Sequence, residues 1–239
     1  MRIHLPKPLH GWREFLGEVG IIVLGVLIAL GAGQVVEWVN QRSEAREAES
    51  AIRGEIEQNM AKLRSRQAKM ACVVHRIDEL QMLIESAGAE GGPIKTPNWV
   101  GRPQFWTMQM ARWQATSQAG RAALIPADSL ALYGSKYAYM ANVNLEGAAE
   151  QADGARLRAL EHLRRLTPEM AFQLTTTLQQ ARYINWRMNV WTMQLQDLSD
   201  RLHLRRMPNN AAASRSACIP MTTPREQAAR ESNPAQSEP

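Results

Sequence analysis

The chain has 239 residues, a formal net charge of +5 and only two cysteines. Its basic groups are 23 Arg and 5 Lys, interspersed with 23 acids rather than run together. The positive balance therefore describes solvated helix faces with a weak preference for anionic lipid, not a nucleic-acid track. Ala, Leu, Gln, Glu and Arg dominate, which favours helix, and no stretch alternates as a strand would.

Residues 1–18 form a short basic lead with Arg2, Lys7, Arg13 and the free amine. Pro6 and Pro8 argue against helix before about Gly11. Residues 19–36, centred on GIIVLGVLIALGAGQVV, are eighteen residues without a charge. As helix they span roughly 27 Å, close to the ~30 Å hydrocarbon core of a bilayer. Glu18 and Glu37 close the run, and Trp12 and Trp38 stand near its ends, where an amphipathic ring suits the membrane–water interface. The stretch reads as a single transmembrane helix. Two alternatives are a cleaved signal peptide, against which Glu14 and Glu18 sit in the n-region, and a buried core helix. Gly25, Ala29 and Gly33 recur every four residues and form a small face for another helix, a second copy or a membrane partner. Arg42, Arg46 and Arg53 nearly balance the basic lead. The amine tips the expectation towards a cytoplasmic N-terminus and a soluble domain outside the cytoplasm.

From Trp38 the pattern predicts helix to about Glu85. Ile56, Leu63, Met70, Ile77 and Ile84 are spaced by seven, and with Ile52, Val73 and Leu80 they make one seam of period 3.5. Asn59 and Arg66 are polar members of that seam, setting register or facing water. Residues 86–98 (SAGAEGGPIKTPN) are a loop where the chain turns back. Next, Trp99, Phe105, Trp106, Met108, Met110 and Trp113 crowd together. A helix from about Pro103 places Trp106, Met110 and Trp113 on one face. That stripe is either core or, with Trp99, a hydrophobic groove for a ligand.

A further helix is expected from Ala127 or Asp128, through Leu130, Tyr133, Tyr137 and Met140, weakened at Gly147 and Gly154. Thr167-Pro168-Glu169 is a start signal for the last long helix, which the pattern carries to about Arg206. Residues 207–239, rich in Asn, Ala, Ser and Pro, predict disorder, with residues 218–221 alone apt to dock.

The strings WREFLGEVGIIVLGVLIALGAGQVVEW and AIRGEIEQN, within residues 12–60, are similar to an uncharacterised group of bacterial single-pass membrane proteins. That resemblance implies an envelope location and a helical soluble part, and it carries over no site residues. Cys72 and Cys218 would bridge if the domain is exported, tying the tail to the first soluble helix, and would be free thiols in the cytoplasm. His4, His10, His75, His162 and His203 show no zinc or di-iron spacing. Cys72–His75 is a lone C-x-x-H and Asp200–His203 a lone D-x-x-H. No phosphate-binding glycine loop or nucleophile elbow occurs.

The expectation is an all-α chain without cofactor: lead 1–18, transmembrane helix 19–36, soluble antiparallel helical bundle 37–206 with partly coiled-coil-like helices, and tail 207–239. Its expected role is non-enzymatic contact at a bacterial inner membrane. The alternative is a membrane-anchored sensor using the cluster at residues 99–113.

Overall fold

The computed structural model describes residues 11–103, 107–208 and 216–232. They are almost entirely helical: α1 (Trp12–Gln67), α2 (Met70–Glu85), α3 (Ala111–Gln118), α4 (Ala127–Leu157), α5 (Pro168–Arg201) and α6 (Arg225–Ser232). Two residue pairs, β1 (Gly92–Pro93) and β2 (Arg165–Leu166), meet antiparallel and pin the loop after α2 against the α4–α5 connection. Among the described residues, one helix, α1, is long and apolar enough to cross a membrane. No part of its apolar window is covered by the rest of the chain, as a core helix would be.

α1 has 56 residues, about 84 Å of helix. It ends where the periodic seam does not. At residues 68–69 the ladder tightens, the Lys69 N–H reaching the Arg66 carbonyl, and α2 restarts at Met70. The break lets each half of the seam serve a different core. Ile52, Ile56, Met60 and Leu63 pack with Tyr133, Tyr137, Met140, Met188 and Leu195. Ile77, Leu80 and Ile84 pack with Leu157, Leu160, Leu166, Leu174 and Leu178. The ledge between α4 and α5 runs through both cores. Lys136 meets Ser199 and Glu146 meets Arg187, so the two helices run in opposite directions.

α3 starts eight residues later than the expected Pro103, and the cause is tertiary. The Asn59 amide pairs with the Gln109 backbone N–H and C=O at 2.9 and 2.7 Å, and Asn144 does the same for Met108 at 2.7 and 3.2 Å. These two side chains satisfy the backbone groups that a helix would otherwise use. Glu55 of α1 then accepts the Arg112 N–H at 2.9 Å and caps the new helix. The seam's polar members are thus buried anchors. Arg66 bonds Glu150 at 2.7 Å and Asn185 at 3.1 Å.

α5 starts where expected, Thr167 Oγ1 accepting the Met170 N–H at 3.2 Å. It stops at Arg201, short of the expected Arg206. His203 turns into the left-handed region at φ 50°, and the Leu202 and His203 carbonyls accept the Arg53 guanidinium. Composition over residues 207–239 predicts disorder, but residues 216–232 are folded. They form a short 3-10 turn (Ser216–Cys218) and α6, held by side chains of the domain rather than by any core of their own.

Candidate functional site

Three features stand apart from ordinary core packing: the exposed span, the clip made by residues 216–232, and a cavity beneath that clip. On the span, Gly25, Ala29 and Gly33 are all solvent-facing, and a Cβ built on Gly25 or Gly33 meets nothing within 4 Å. Trp12, Phe15 and Trp38 are exposed at its ends, with the Arg42 guanidinium 5.2 Å from the Trp38 ring. The first buried residue of α1 is Ala48. The domain is met sooner, where Glu44 pairs with Arg121 at 3.7 Å, so seven residues of helix, a rise of about 12 Å, separate Val36 from it.

The clip is anchored on α2. Cys72 and Cys218 form a disulfide with an S–S distance of 2.12 Å and Cα atoms 4.9 Å apart. One turn on, Arg76 donates from Nη1 to the Val100 carbonyl at 2.7 Å, from Nη2 to the Ile219 carbonyl, and from Nε to Glu79 at 2.9 Å. Trp99 Nε1 donates to the Ser216 carbonyl at 3.0 Å, and the Asn98 and Trp99 N–H groups both reach the Met221 carbonyl. Trp99, Ile219 and Ala228 close a small apolar cluster under this lattice. Glu161 completes it. Its buried carboxylate accepts the Val100 N–H at 2.9 Å, Arg102 at 2.6 and 3.0 Å, and Arg225 at 3.0 Å.

Burial alone would push the Glu161 carboxyl up, but its bonds to Arg102 and Val100 and the charges of Arg102 and Arg225 outweigh that and hold it low. A lowered carboxyl pKa adds stability above the unfolded value, and the gain is lost as pH falls through the folded value. Glu161→Gln is expected to cost about 2 kcal/mol at pH 7, because four N–H donors from three residues lose a charged acceptor. The check is chemical denaturation at pH 7 and pH 3, and the difference between variant and wild type should shrink at the lower pH.

Of the Trp and Met residues singled out as a groove, Met110 and Trp113 pack on the same core while Trp99 stands apart in the clip. Trp99 belongs to the clip, with the Arg102 guanidinium 4.1 Å over its ring. Trp113 stacks on Tyr137 at 5.0 Å and packs with Met110 against the first core. Trp106 lies outside the described residues. The aromatic spacing assumed a helix from about Pro103, but residues 107–110 are not helical, and the Asn59 and Asn144 clamps hold Met108 and Gln109. A feature the spacing did not signal is Lys136, fully buried between α4 and α5 with Ser199 as neighbour. Burial pushes its ammonium down to about 7, with Asp200 opposing the shift and Arg64 adding to it.

A cavity of about 120 Å³ lies under the clip. Val73, Ile77 and Leu80 of α2, Leu157 of α4 and Ala181 of α5 form its apolar wall. Arg66, Lys69, Arg76 and Arg102 also line it, with Glu150, the partner of Arg66 at 2.7 Å. Pro103 and Ala217 roof it. The roof can come close because Gly154 has no side chain: a Cβ there would stand 2.5 Å from Pro103 Cγ.

Among the described residues no group of His, Cys, Asp or Glu is placed to hold a metal ion. Cys72 is consumed by the disulfide, and His75 faces Glu79 at 3.4 Å, so the C-x-x-H pair is not a ligand pair. Comparisons of the chain with protein-family models, with curated proteins and with solved structures find no match.

Proposed function

We propose that the chain is a non-enzymatic single-pass membrane protein whose antiparallel helical bundle acts by contact, as a scaffold or accessory subunit in a bacterial envelope. One observation carries this reading. α1 is uninterrupted from Trp12 to Gln67, so the apolar span and the first core of the domain are one rigid rod. A flexible anchor would merely tether the domain. A continuous helix transmits the rotation and height of the span to the domain's surface.

The bridge between Cys72 and Cys218 supports a soluble domain on the oxidising side of the inner membrane, in the periplasm, with the N-terminus cytoplasmic. The open face at Gly25, Ala29 and Gly33 supports a second copy, or the span of a partner protein, as what the helix meets in the bilayer. A cleaved signal peptide would require a cut within the continuous helix, which favours retention of the span.

The test is co-purification in mild detergent together with an in-membrane association reporter. Wild type should yield a homo-oligomer or a stable partner, and Gly25→Leu with Gly33→Leu should abolish it, since two bulky side chains hold the helices apart. A strictly monomeric protein with no partner would overturn the contact role. The alternative, a membrane-anchored ligand-binding domain, draws support from the cavity under the clip, to which the stretch 99–113 contributes Val100, Gly101, Arg102 and Pro103.

A further inference from the structure

We propose that the outward face of α5 docks a second copy of this chain, the two α5 helices lying side by side and parallel. The proposal rests on the contact role and names its partner and surface. Phe172, Tyr183, Trp186 and Met193 are 73, 55, 58 and 52% exposed. With Thr176, Gln179 and Val190 between them they follow steps of four and three, one seam along about 32 Å of helix. The seam lies on the side of α5 opposite Met188 and Leu195, which face the first core. A surface helix ordinarily turns charge to water. Between residues 170 and 196 α5 has no acid and no lysine. Its two arginines there flank the seam and are already answered, Arg182 by Asp78 at 3.0 Å and Arg187 by Glu146 at 2.7 Å. Few charges with exposed Tyr, Trp and Met is the composition of an interface core.

Three observations select a second copy. The first is charge. The seam carries none that a charged partner could answer, and a like seam meets it without repulsion, since each flanking arginine brings its own carboxylate. The second is geometry. α1 is continuous, so the span sets the direction and height of the domain. Two copies in one bilayer then present α5 running the same way at the same level, and a two-fold axis along the membrane normal puts the seams in register. The third is area. The three exposed aromatics offer roughly 350 Å² per copy, and Met193, Val190 and the polar steps add to it, against about 800 Å² per partner in a stable interface. A shared bilayer raises the effective concentration and lowers what the contact must supply. The Tyr183 and Trp186 rings already stack at 5.7 Å, so little side-chain freedom is lost on docking.

The test is cross-linking of the full chain in membranes with a short bis-maleimide. The two native cysteines are bridged, so one added cysteine is the single free thiol. Gln179→Cys, on the seam, should give a covalent dimer, and Gln118→Cys, exposed at the end of α3, should stay monomeric. Adding Trp186→Glu should lower the Gln179→Cys dimer fraction by roughly ten-fold or more, because a charge is forced into the centre of the contact. Met193→Glu serves if that variant fails to fold. The proposal is overturned if Gln179→Cys stays monomeric or links only to another protein, if Gln118→Cys dimerises as well, or if a folded glutamate variant cross-links as its parent does. Assembly that persists in detergent while Gln179→Cys stays monomeric sinks the α5 pair and leaves the contact role standing. A chain with no partner and no oligomer sinks both.

Discussion

Reducing the Cys72–Cys218 bridge is expected to destabilise the domain by about 4 kcal/mol and to release the clip. The bridged residues are 146 apart in sequence. Opening a loop of that length returns up to about 5 kcal/mol of chain entropy to the unfolded state in the loop-closure account. Part of the clip remains tethered without the bridge, through Arg225 on Glu161 and the Met221 carbonyl on Asn98 and Trp99, which is why the expected loss is smaller. Trp99 reports the event, because its indole is covered by residues 216–219 and by α6. Cys72→Ser should red-shift its emission and lower the denaturation midpoint, and reductant should do the same to wild type. No change in either would mean that the other contacts hold the clip alone. The same cysteines report orientation. After treatment of intact cells with an impermeant reductant, an impermeant thiol reagent should label Cys218, and labelling only after lysis would reverse the proposed topology.

Lys136→Met is expected to stabilise the protein, by roughly 3–5 kcal/mol at pH 6. The ordinary lysine value is 10.5 and the folded value is about 7. A difference of that size corresponds to about 5 kcal/mol between the two protonation states. The sign follows from burial. Between the two values the unfolded chain holds a proton that the folded chain has released, so wild-type stability rises with pH across that window. Below the lower value the full cost of a buried ammonium is present. Asp200 offsets some of it and Arg64 adds to it. Methionine has similar length and no charge, and Ser199 keeps its bond to the Leu195 carbonyl when the lysine is gone. The variant's midpoint should rise by about 10 °C at pH 6, and the gain should vanish above about pH 10.5. A gain independent of pH would assign the effect to packing instead.

The candidate sites were legible in the sequence to very different degrees. The cysteine pair was visible as a possibility, but its closure depends on the separation of two Cα atoms that no spacing encodes. The small-residue face could be read directly, because a straight helix maps sequence onto surface. The Trp and Met stripe was read through the same mapping, which needs continuous helix, and residues 107–110 are not helical. The clip was hidden by composition. α6 is highly polar and buries only Ala228 and Ser232, so its order comes from Arg225 on Glu161 and Ala228 against Trp99, both partners distant in sequence. The cavity left no signal, being the space between helices rather than a property of any one.

By itself the sequence determined the elements whose cause is local. The uncharged run at 19–36 reads as helix because hydrocarbon offers no hydrogen bonds, so a spanning segment has to satisfy its backbone groups through its own ladder. The Thr167-Pro168 start of α5 needs only its own first turn. The helical class follows from propensity and period. The tertiary structure decided everything that depends on a partner far along the chain. No glycine or proline marks the break at residues 68–69, and it falls where the two halves of one apolar seam face two different cores. α3 begins at Ala111 because Asn59 and Asn144 hold the residues before it and Glu55 caps its first turn. Lys136 is buried because α4 and α5 cross where its stem lies. A period records which face of a helix is apolar, and it holds no information about what that face will meet.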